Sequence, residues 1–486
     1  MTPRRTIFDN AISFSAGQFI ALFLGFITHA FWARAIGPEQ YGILGFALTI
    51  VSYFGLAATL GTDIWGTRGI SRNTGEAAST AGEVLSLRLA LSVLSLIALV
   101  ILLSIWRPAP VVILVILIQF AGVFVAAFTL DFAFQGLEQM GSIGKRQIVT
   151  AVLALAGISA TLLFKPNVVL AATVFQGAAL IAAIIMLVDF IRLGGVPKIR
   201  FDPAAWRNIL GQSAPIAVTG VVATIYFSID IVMLGFYRPQ EEVGLYVAAG
   251  KVLMIGMTAA TIVRAVFFPV LSRLLDNAPA RRKASGHHAE VIIFFGGLFS
   301  VGGYLLAPEI LEIIFGASYG GADQALRILM ANLAIAHLVA LYQVQLLAWN
   351  MQNQQMKIMI AGALINVLLN FWLIPKFGME AAAATTLVSS FAVFLLALLV
   401  LKRNDFEVHG SLVIKAAVIC AAVGIAGHWI LAAPSVLPVG TILRFVIAGV
   451  LITAVFSAIA LAVRLIRPLA AYRYMAASPD AGAGRG

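Results

Sequence analysis

Residues Ala381–Leu401 read AAAATTLVSSFAVFLLALLVL, a run without a single Asp, Glu, Lys or Arg. Residues Leu89–Trp106, LALSVLSLIALVILLSIW, form a second such run. A helix needs roughly 20 mainly apolar residues to cross the hydrocarbon core of a bilayer, and stretches that meet or approach this length recur about fourteen times along the chain. The pattern predicts an all-α polytopic membrane protein of about 14 transmembrane helices.

The overall composition leads to the same class of protein. Of the 486 residues, 61% are hydrophobic and only 11% are charged. A water-soluble protein of this composition would have too few polar side chains to cover its surface. We therefore expect no separate soluble domain.

The positions of the basic residues predict the topology. Most of the 32 Lys and Arg residues fall in every second gap between the apolar stretches, as in Arg4-Arg5, the Arg192–Arg207 loop and Arg281–Lys283. Positive charge marks the cytoplasmic side of a membrane protein. We expect both termini to be cytoplasmic, in a multi-pass membrane protein. This spread explains the net charge of +11, so the bilayer rather than nucleic acid is the expected partner.

Short loops and a single cysteine argue against an enzyme. The longest predicted outer gaps are Arg34–Gln40 and Phe236–Val243, which leave no room for a catalytic domain. Cys420 is the one cysteine of the chain and lies inside an apolar stretch, which is typical of a structural role. We predict no catalytic residue, no metal site and no cofactor, and a function carried out within the membrane.

A short sequence pattern occurs twice. PEQYG at Pro38–Gly42 and PQEEVG at Pro239–Gly244 are each followed by an alanine five residues after the glycine, and each begins an outer-to-inner helix. The spacing predicts two six-helix lobes in parallel orientation. The predicted domains are an N-terminal lobe at 1–195, a C-terminal lobe at 196–404, two additional helices at 405–468 and a disordered cytosolic tail at 469–486.

Several segments carry a family resemblance. Ala33–Gly42 (ARAIGPEQYG), Leu60–Asp63 (LGTD) and Arg68–Arg72 (RGISR) look like the opening of the Wzx-type oligosaccharide flippases. Gly244–Tyr246 and Phe268–Arg273 resemble the eighth helix of the same superfamily, which includes multidrug/toxin extruders and lipid II flippases. The resemblance implies two six-helix lobes around a central cavity that opens alternately to each side of the membrane.

The resemblance also implies a substrate, an oligosaccharide linked to a polyprenyl diphosphate. The polyprenyl tail is soluble in lipid, whereas the diphosphate and the glycan are not. A flippase therefore needs a polar cavity for the head and a sideways opening for the tail. Arg and Lys side chains in that cavity would hold the diphosphate. The resemblance further implies a location in the bacterial inner membrane and a polysaccharide polymerase as a candidate partner.

Lys251 and Asp230 are the first candidates for substrate binding. Lys251 lies seven residues after Gly244, where the lipid II flippases also carry a basic residue facing the cavity. Asp230 lies five residues before Gly235, which suggests a similar depth in the adjacent helix and an ion pair with Lys251. The alternative is that this pair only neutralises two buried charges.

Four other charged residues have open roles. Arg34 and Arg327 lie near the predicted outer ends of their helices. We expect each of them to bind either the substrate or the lipid headgroups. Asp63 and Arg68 flank the first cytoplasmic turn and either pair with each other or, as the resemblance implies, act as a gate. Arg88, five residues into its helix, is expected to extend to the cytoplasmic headgroups.

Two other functions remain as alternatives to a flippase. A drug/cation antiporter of the same architecture should have acidic and aromatic groups in its cavity, yet the spans carry the basic residues Arg88, Lys251, Arg264 and Arg327. A membrane-embedded polysaccharide polymerase should present a large outer loop, and the predicted outer gaps are short. The flippase is the favoured prediction.

Overall fold

The computed structural model describes residues 3–161, 163–432 and 440–467. These ranges are almost entirely helical and contain no β-strand. The predicted all-α fold is thereby confirmed. The predicted disordered tail at 469–486 lies outside the described residues.

The first of two compact units is Met1–Val247. In it α1 packs against α3, α4, α6 and α8, and α4 packs against α7. A 3₁₀ turn at Thr74–Glu76 precedes α3. The helices are α1 (Pro3–Thr59), α2 (Thr62–Arg72), α3 (Ala77–Trp106), α4 (Pro110–Ala127), α5 (Asp131–Gly136), α6 (Met140–Thr161), α7 (Val168–Gly194), α8 (Pro203–Tyr237) and the beginning of α9 (Gln240–Arg273).

The second unit is Ala248–Gly486. In it α10 packs against α12, α14 and α15, and α12 packs along α13. A 3₁₀ turn at Ala317–Ala322 precedes α12. Besides the remainder of α9, its helices are α10 (Ala278–Leu305), α11 (Ala307–Phe315), α12 (Asp323–Ala348), α13 (Gln352–Arg403), α14 (Gly410–Ala432) and α15 (Thr441–Ala462).

Twelve helical segments among the described residues are long and apolar enough to cross a membrane. Two of them, Gly17–Thr59 and Gln352–Arg403, have 43 and 52 residues. Each is broken at a glycine with positive φ, Gly37 (φ 77°, ψ 170°) and Gly378 (φ 62°, ψ −137°). Only glycine adopts such angles without strain. Each segment is long enough for two crossings of roughly 20 residues, and the number of fourteen crossings stays a prediction.

Large apolar side chains cover the outside of both units. Leu94, Ile105 and Trp429 are each more than half exposed. In water this exposure would be unfavourable, but a bilayer offers apolar side chains an apolar environment. The interior, in contrast, contains hydrogen-bonded polar groups such as those around Arg88 and Asp230.

Ion pairs within each unit agree with the predicted alternation of sides. Two ion pairs illustrate this agreement. Lys145 lies in a predicted cytoplasmic segment, and its partner Asp189, 2.8 Å away, lies at the cytoplasmic end of a predicted span. Arg444 is assigned to the outer side, and its partner Glu309, 3.1 Å away, lies in the outer part of a predicted span. The orientation itself and the two predicted six-helix lobes stay predictions.

Candidate functional site

The two copies of the Pro-to-Gly pattern touch each other in the first unit. A methyl group at Gly42 would lie 1.8 Å from the carbonyl oxygen of Gln240, and one at Gly244 would lie 1.9 Å from that of Pro38. Small residues permit such close approach of helix backbones in membranes. We call this meeting of α1 and α9 the glycine contact; it consists of Pro38, Gly42, Gln240 and Gly244.

Aromatic rings pack beside the glycine contact. The ring of Phe46 lies against Gly235, where a methyl group would be 2.0 Å from it. The centroid of Phe236 lies 5.7 Å from that of Phe46 and 4.8 Å from that of Trp106, both edge to face. This end of the first unit is therefore held by shape and apolar packing.

Asp230 forms a buried hydrogen bond that the sequence did not indicate. Its side chain is 7% exposed and accepts a hydrogen bond from the hydroxyl of Tyr246. The backbone amide of Ile231 donates to its other carboxylate oxygen at 2.8 Å. Asp230 on α8 and Tyr246 on α9 thus join the two arms of one hairpin.

Helix rise explains this pairing. Asp230 lies seven residues before the end of α8, about 10 Å along the axis, and Tyr246 lies six residues after the start of α9, about 9 Å. Lys251, eleven residues after that start, is about 16 Å along its helix. Counted from the observed helix ends, Tyr246 matches Asp230 in depth better than Lys251 does.

Lys251 belongs to the second unit and is partly buried. Within the described part of that unit, its ammonium group has no hydrogen-bond or ion-pair partner. The pairing of Asp230 with Lys251, and a role of either in substrate binding, stay predictions.

Arg34 and Arg327 differ in their surroundings. The side chain of Arg34 is exposed. Arg327 is largely covered, and its Nε lies 4.0 Å from a carboxylate oxygen of Asp323. Its guanidinium group also lies 5.5 Å from the centre of the Tyr304 ring. Part of the charge of Arg327 is thus already compensated, and substrate binding by either arginine stays a prediction.

Arg88 corrects one expectation, because its side chain does not extend to the headgroups but is 2% exposed. Its Nε donates to Thr62 Oγ1 at 2.7 Å, and a terminal nitrogen donates to the carbonyl of Thr129 at 3.4 Å. The other terminal nitrogen lies 2.7 Å from Asp63 Oδ1. The guanidinium group also covers the ring of Phe132 at 5.0 Å.

These contacts make Arg88 a structural centre. We call Arg88, Thr62, Asp63 and Thr129 the arginine anchor; it joins α2, α3 and the segment after α4. Asp63 pairs with Arg88, so the expected alternative of a pair between Asp63 and Arg68 is wrong. Arg68 is exposed on α2. A gating role for Asp63 and Arg68 stays a prediction.

Metal ligands do not cluster in residues 3–161, 163–432 and 440–467. No three His, Cys, Asp or Glu side chains in these ranges come close enough to hold a metal ion.

Sequence comparison places these features in a known family. The profile of the family described as "Polysaccharide biosynthesis protein" matches residues 7–275, more than half of the chain. A "Putative O-antigen transporter" of Escherichia coli strain K12 is 25% identical over 429 residues, which cover 84% of this chain and 99% of that protein. A "Probable flippase AglR" of Haloferax volcanii is 28% identical over 34% of this chain and 35% of its own length.

Solved structures show the same fold. A structure of the lipid II flippase MurJ in an inward closed conformation has a TM-score of 0.73 and 17% identity, covering 94% of this chain and all of that one. A multidrug-resistance MATE family transporter in an inward-facing conformation has a TM-score of 0.63 and 18% identity, covering 79% and 96%. The chain thus shares its fold with these two proteins. By its matching profile, the chain belongs to the polysaccharide biosynthesis protein family.

Proposed function

We propose that this protein moves a polyprenyl-diphosphate-linked oligosaccharide from the cytoplasmic to the outer leaflet, for export of a cell-surface polysaccharide. The observation that carries the proposal is the similarity along 99% of the length of a protein named as an O-antigen transporter. The flippase names among its relatives and the fold shared with a lipid II flippase support it. A polysaccharide polymerase that uses the flipped lipid is the proposed partner.

The mechanism we propose is alternating access. Residues 1–195 and 196–404 form two lobes around a central cavity, with the helices at 405–468 added to them. The glycine contact closes the outer end, where two backbones meet without intervening side chains. Both termini face the cytoplasm of a bacterial cell, so closure of the outer end leaves the substrate to enter from the cytoplasmic leaflet.

Within the cavity we propose that Lys251 holds the diphosphate, with Asp230, Arg34 and Arg327 as further contacts. An ammonium group binds phosphate as a compact charge. Lys251→Ala should then abolish polysaccharide export while folded protein stays in the membrane. Lys251→Arg should retain part of the export, because the charge survives.

A double variant separates substrate binding from a structural role. If Asp230 and Lys251 only neutralise each other, each single change to Ala should lower protein abundance, because one buried charge is left without its partner. Asp230→Ala combined with Lys251→Ala should then restore both abundance and export. Full export by this double variant would exclude both residues from the binding site.

The proposed function is tested by deletion of the gene. Deletion should cause a lipid-linked oligosaccharide to accumulate in the cytoplasmic leaflet, measured by extraction and by labelling from each side of inverted membrane vesicles. Sensitivity to cationic drugs without such accumulation would instead identify a drug/cation antiporter.

A further inference from the structure

A cavity of 260 Å³ lies in the first unit between α2 and the first turns of α8. Trp65, Arg68 and Arg72 line it from α2, and Asn208 and Gln212 line it from α8. We call it the docking cavity. It lies at the predicted cytoplasmic end of the first unit, outside the residues for which we proposed a role in the central cavity.

The cavity contains two arginines of the same helix without a counter-charge. Arg68 and Arg72 are four residues apart, which places them about 40° apart around α2 and about 6 Å apart along it. Like charges at this spacing repel each other. Neither arginine forms an ion pair with any residue that the structure describes. The carboxylate of α2, Asp63, is already paired with Arg88 at 2.7 Å.

The opposite wall adds neutral hydrogen-bonding groups. Gln212 Nε2 donates to Asn208 Oδ1 at 2.9 Å, one helical turn away. This bond orients both carboxamides and leaves the amide nitrogen of Asn208 available as a donor. The α2 wall thus offers the donors of two guanidinium groups, and the α8 wall offers the amide nitrogen of Asn208 beside the carboxamide oxygen of Gln212.

The two helices that form the walls are held in place before any ligand binds. On α8, Trp206 Nε1 donates to Ser86 Oγ of α3 at 3.1 Å. The first backbone amides of α8 are capped by Asp202, which accepts from Ala204 at 2.9 Å. On α2, the arginine anchor holds Thr62 and Asp63. Walls that are ordered in advance lose little entropy when they bind a ligand.

We propose that the docking cavity binds the diphosphate of the lipid-linked substrate at the cytoplasmic surface, before the substrate reaches the central cavity. Two guanidinium groups present forks of donors that match phosphate oxygens. The volume of 260 Å³ is below the usual range of about 300–1,000 Å³ for sites that enclose a drug-sized ligand, so an oligosaccharide does not fit inside. The proposal rests on the proposed function and specifies where its substrate binds first.

The rim of the cavity suits a ligand that is anchored in lipid. Ile64 lines the cavity and its side chain is 41% exposed, and Trp65 beside it is half-buried. Trp residues commonly lie at the level of the lipid headgroups. A polyprenyl diphosphate held by Arg68 and Arg72 would thus keep its phosphates at the headgroup level and its first isoprene units against an apolar rim.

Site-specific cross-linking tests this proposal. We would replace Ile64 with the photoreactive p-benzoylphenylalanine in the full-length protein, in phosphatidylcholine nanodiscs, and add radiolabelled undecaprenyl diphosphate. We expect a cross-link that Arg68→Gln with Arg72→Gln reduces by about tenfold or more, because hydrogen bonds to charged groups are lost. Arg207→Gln, beside Asn208 but outside the cavity lining, is the matched control and should leave the cross-link unchanged.

Two further cross-linking measurements distinguish binding in the docking cavity from binding at other sites. Lys251→Ala should retain the cross-link, because Ile64 reports binding that precedes the central cavity. Radiolabelled phosphatidylglycerol should cross-link weakly, because it has one phosphate where the carrier has two. If the double variant does not fold, Arg68→Lys with Arg72→Lys replaces it and should give an intermediate signal, since charge remains without the fork.

Three outcomes would overturn the proposal. They are no cross-link to undecaprenyl diphosphate in otherwise unchanged protein, an equal cross-link after Arg68 and Arg72 are replaced, and equal labelling by phosphatidylglycerol, which would identify a site for anionic headgroups in general. None of these would alter the effect of gene deletion on the lipid-linked oligosaccharide. Failure of the docking cavity is therefore distinguishable from failure of the proposed function.

Discussion

The glycine contact and the arginine anchor lie at opposite ends of the same part of the first unit. From Gly42 to Thr59, where α1 ends three residues before Thr62, the helix rises about 26 Å, close to the thickness of a bilayer core. At one end two backbones meet at glycines. At the other, the buried guanidinium group of Arg88 contacts Thr62, Asp63 and Thr129.

The difference indicates which end moves. Separation of the glycine contact breaks mainly van der Waals packing, which another arrangement of the helices can replace. Separation of the arginine anchor would leave a buried charge without its partners, at a cost of several kcal/mol. We expect the glycine contact to open and close during transport and the arginine anchor to stay intact.

The largest effect that we expect is an all-or-none difference between reporter fusions, because the two ends should lie on opposite sides of the membrane. Reporter fusions at Gly286 and Asn404 should read cytoplasmic, and a fusion at Pro239, within a residue of the glycine contact, should read external. Alkaline phosphatase and green fluorescent protein fusions give opposite signals and check each other. An external signal at Gly286 would refute the predicted order of spans and the depth assigned to Lys251.

The next largest effect should be a loss of polysaccharide export when a methyl group is added at the glycine contact. In Gly244→Ala the added carbon would lie 1.9 Å from the carbonyl oxygen of Pro38, a backbone atom that cannot rotate away as the end of a side chain can. Overpacking costs about 1–3 kcal/mol. A cost at the middle of that range lowers the equilibrium constant for closing by about tenfold or more. We expect export of polysaccharide to fall accordingly while the protein remains in the membrane.

Gly250→Ala is the matched control for this prediction. It lies on the same helix, and a methyl group there would have no atom within 4 Å. Export should be unchanged in this variant. Equal export by Gly244→Ala and Gly250→Ala would mean that the glycine contact is not a moving part.

The sequence marked the residues of the glycine contact but did not predict that they touch each other. The repeated pattern marked Gly42 and Gly244 as equivalent positions at the same predicted side. That the two glycines lie against each other depends on how α1 packs on the tip of the α8–α9 hairpin, which no local pattern encodes. Helix class and membrane location, in contrast, follow from composition and run length, so the sequence predicted them correctly.

Arg88→Met should reduce the amount of folded protein. The thioether fills much of the space of the arginine but donates no hydrogen bond to Thr62 or Thr129. Each lost bond to a charged donor costs about 1.5–3 kcal/mol, and Asp63 limits the loss because its side chain is 52% exposed and can be solvated. Abundance by quantitative immunoblotting should fall several-fold.

Controls separate this effect from the loss of a charge. Arg107→Gln at the other end of α3 changes an exposed arginine and should leave abundance unchanged. Arg88→Lys should rescue only part of the loss, because an ammonium group cannot reach three partners with a planar fork. Normal abundance of Arg88→Met would show that the anchor contributes little to folding.

The arginine anchor was predicted wrongly for a physical reason. A basic residue five positions inside a helix commonly reaches the headgroups with its long side chain. In this chain the partners of Arg88 come from α2 and from the segment after α4, whose proximity is set by tertiary packing. The sequence also places Asp230 by its distance from Gly235 and Lys251 by its distance from Gly244, whereas α8 continues to Tyr237 and α9 begins at Gln240.

The smallest expected effect concerns the bond between Asp230 and Tyr246, which lies between the two ends. In Tyr246→Phe the buried carboxylate loses its side-chain donor and keeps the amide of Ile231. We expect a loss of about 1–2 kcal/mol, seen as a lower temperature of half-maximal aggregation in detergent. Tyr237→Phe, which changes an exposed tyrosine at the end of α8, should leave that temperature unchanged.

The same variant shows whether the hairpin moves as one body. The bond joins α8 to α9 six residues from the start of α9, close to the glycine contact. If the two helices move together when the contact opens, Tyr246→Phe should lower export more than its modest loss of stability explains. Asp230→Asn, whose amide oxygen still accepts from Tyr246, should then transport better than Tyr246→Phe. Export that falls in Asp230→Asn but not in Tyr246→Phe would instead indicate that the negative charge of Asp230, and not its bond to Tyr246, matters for transport.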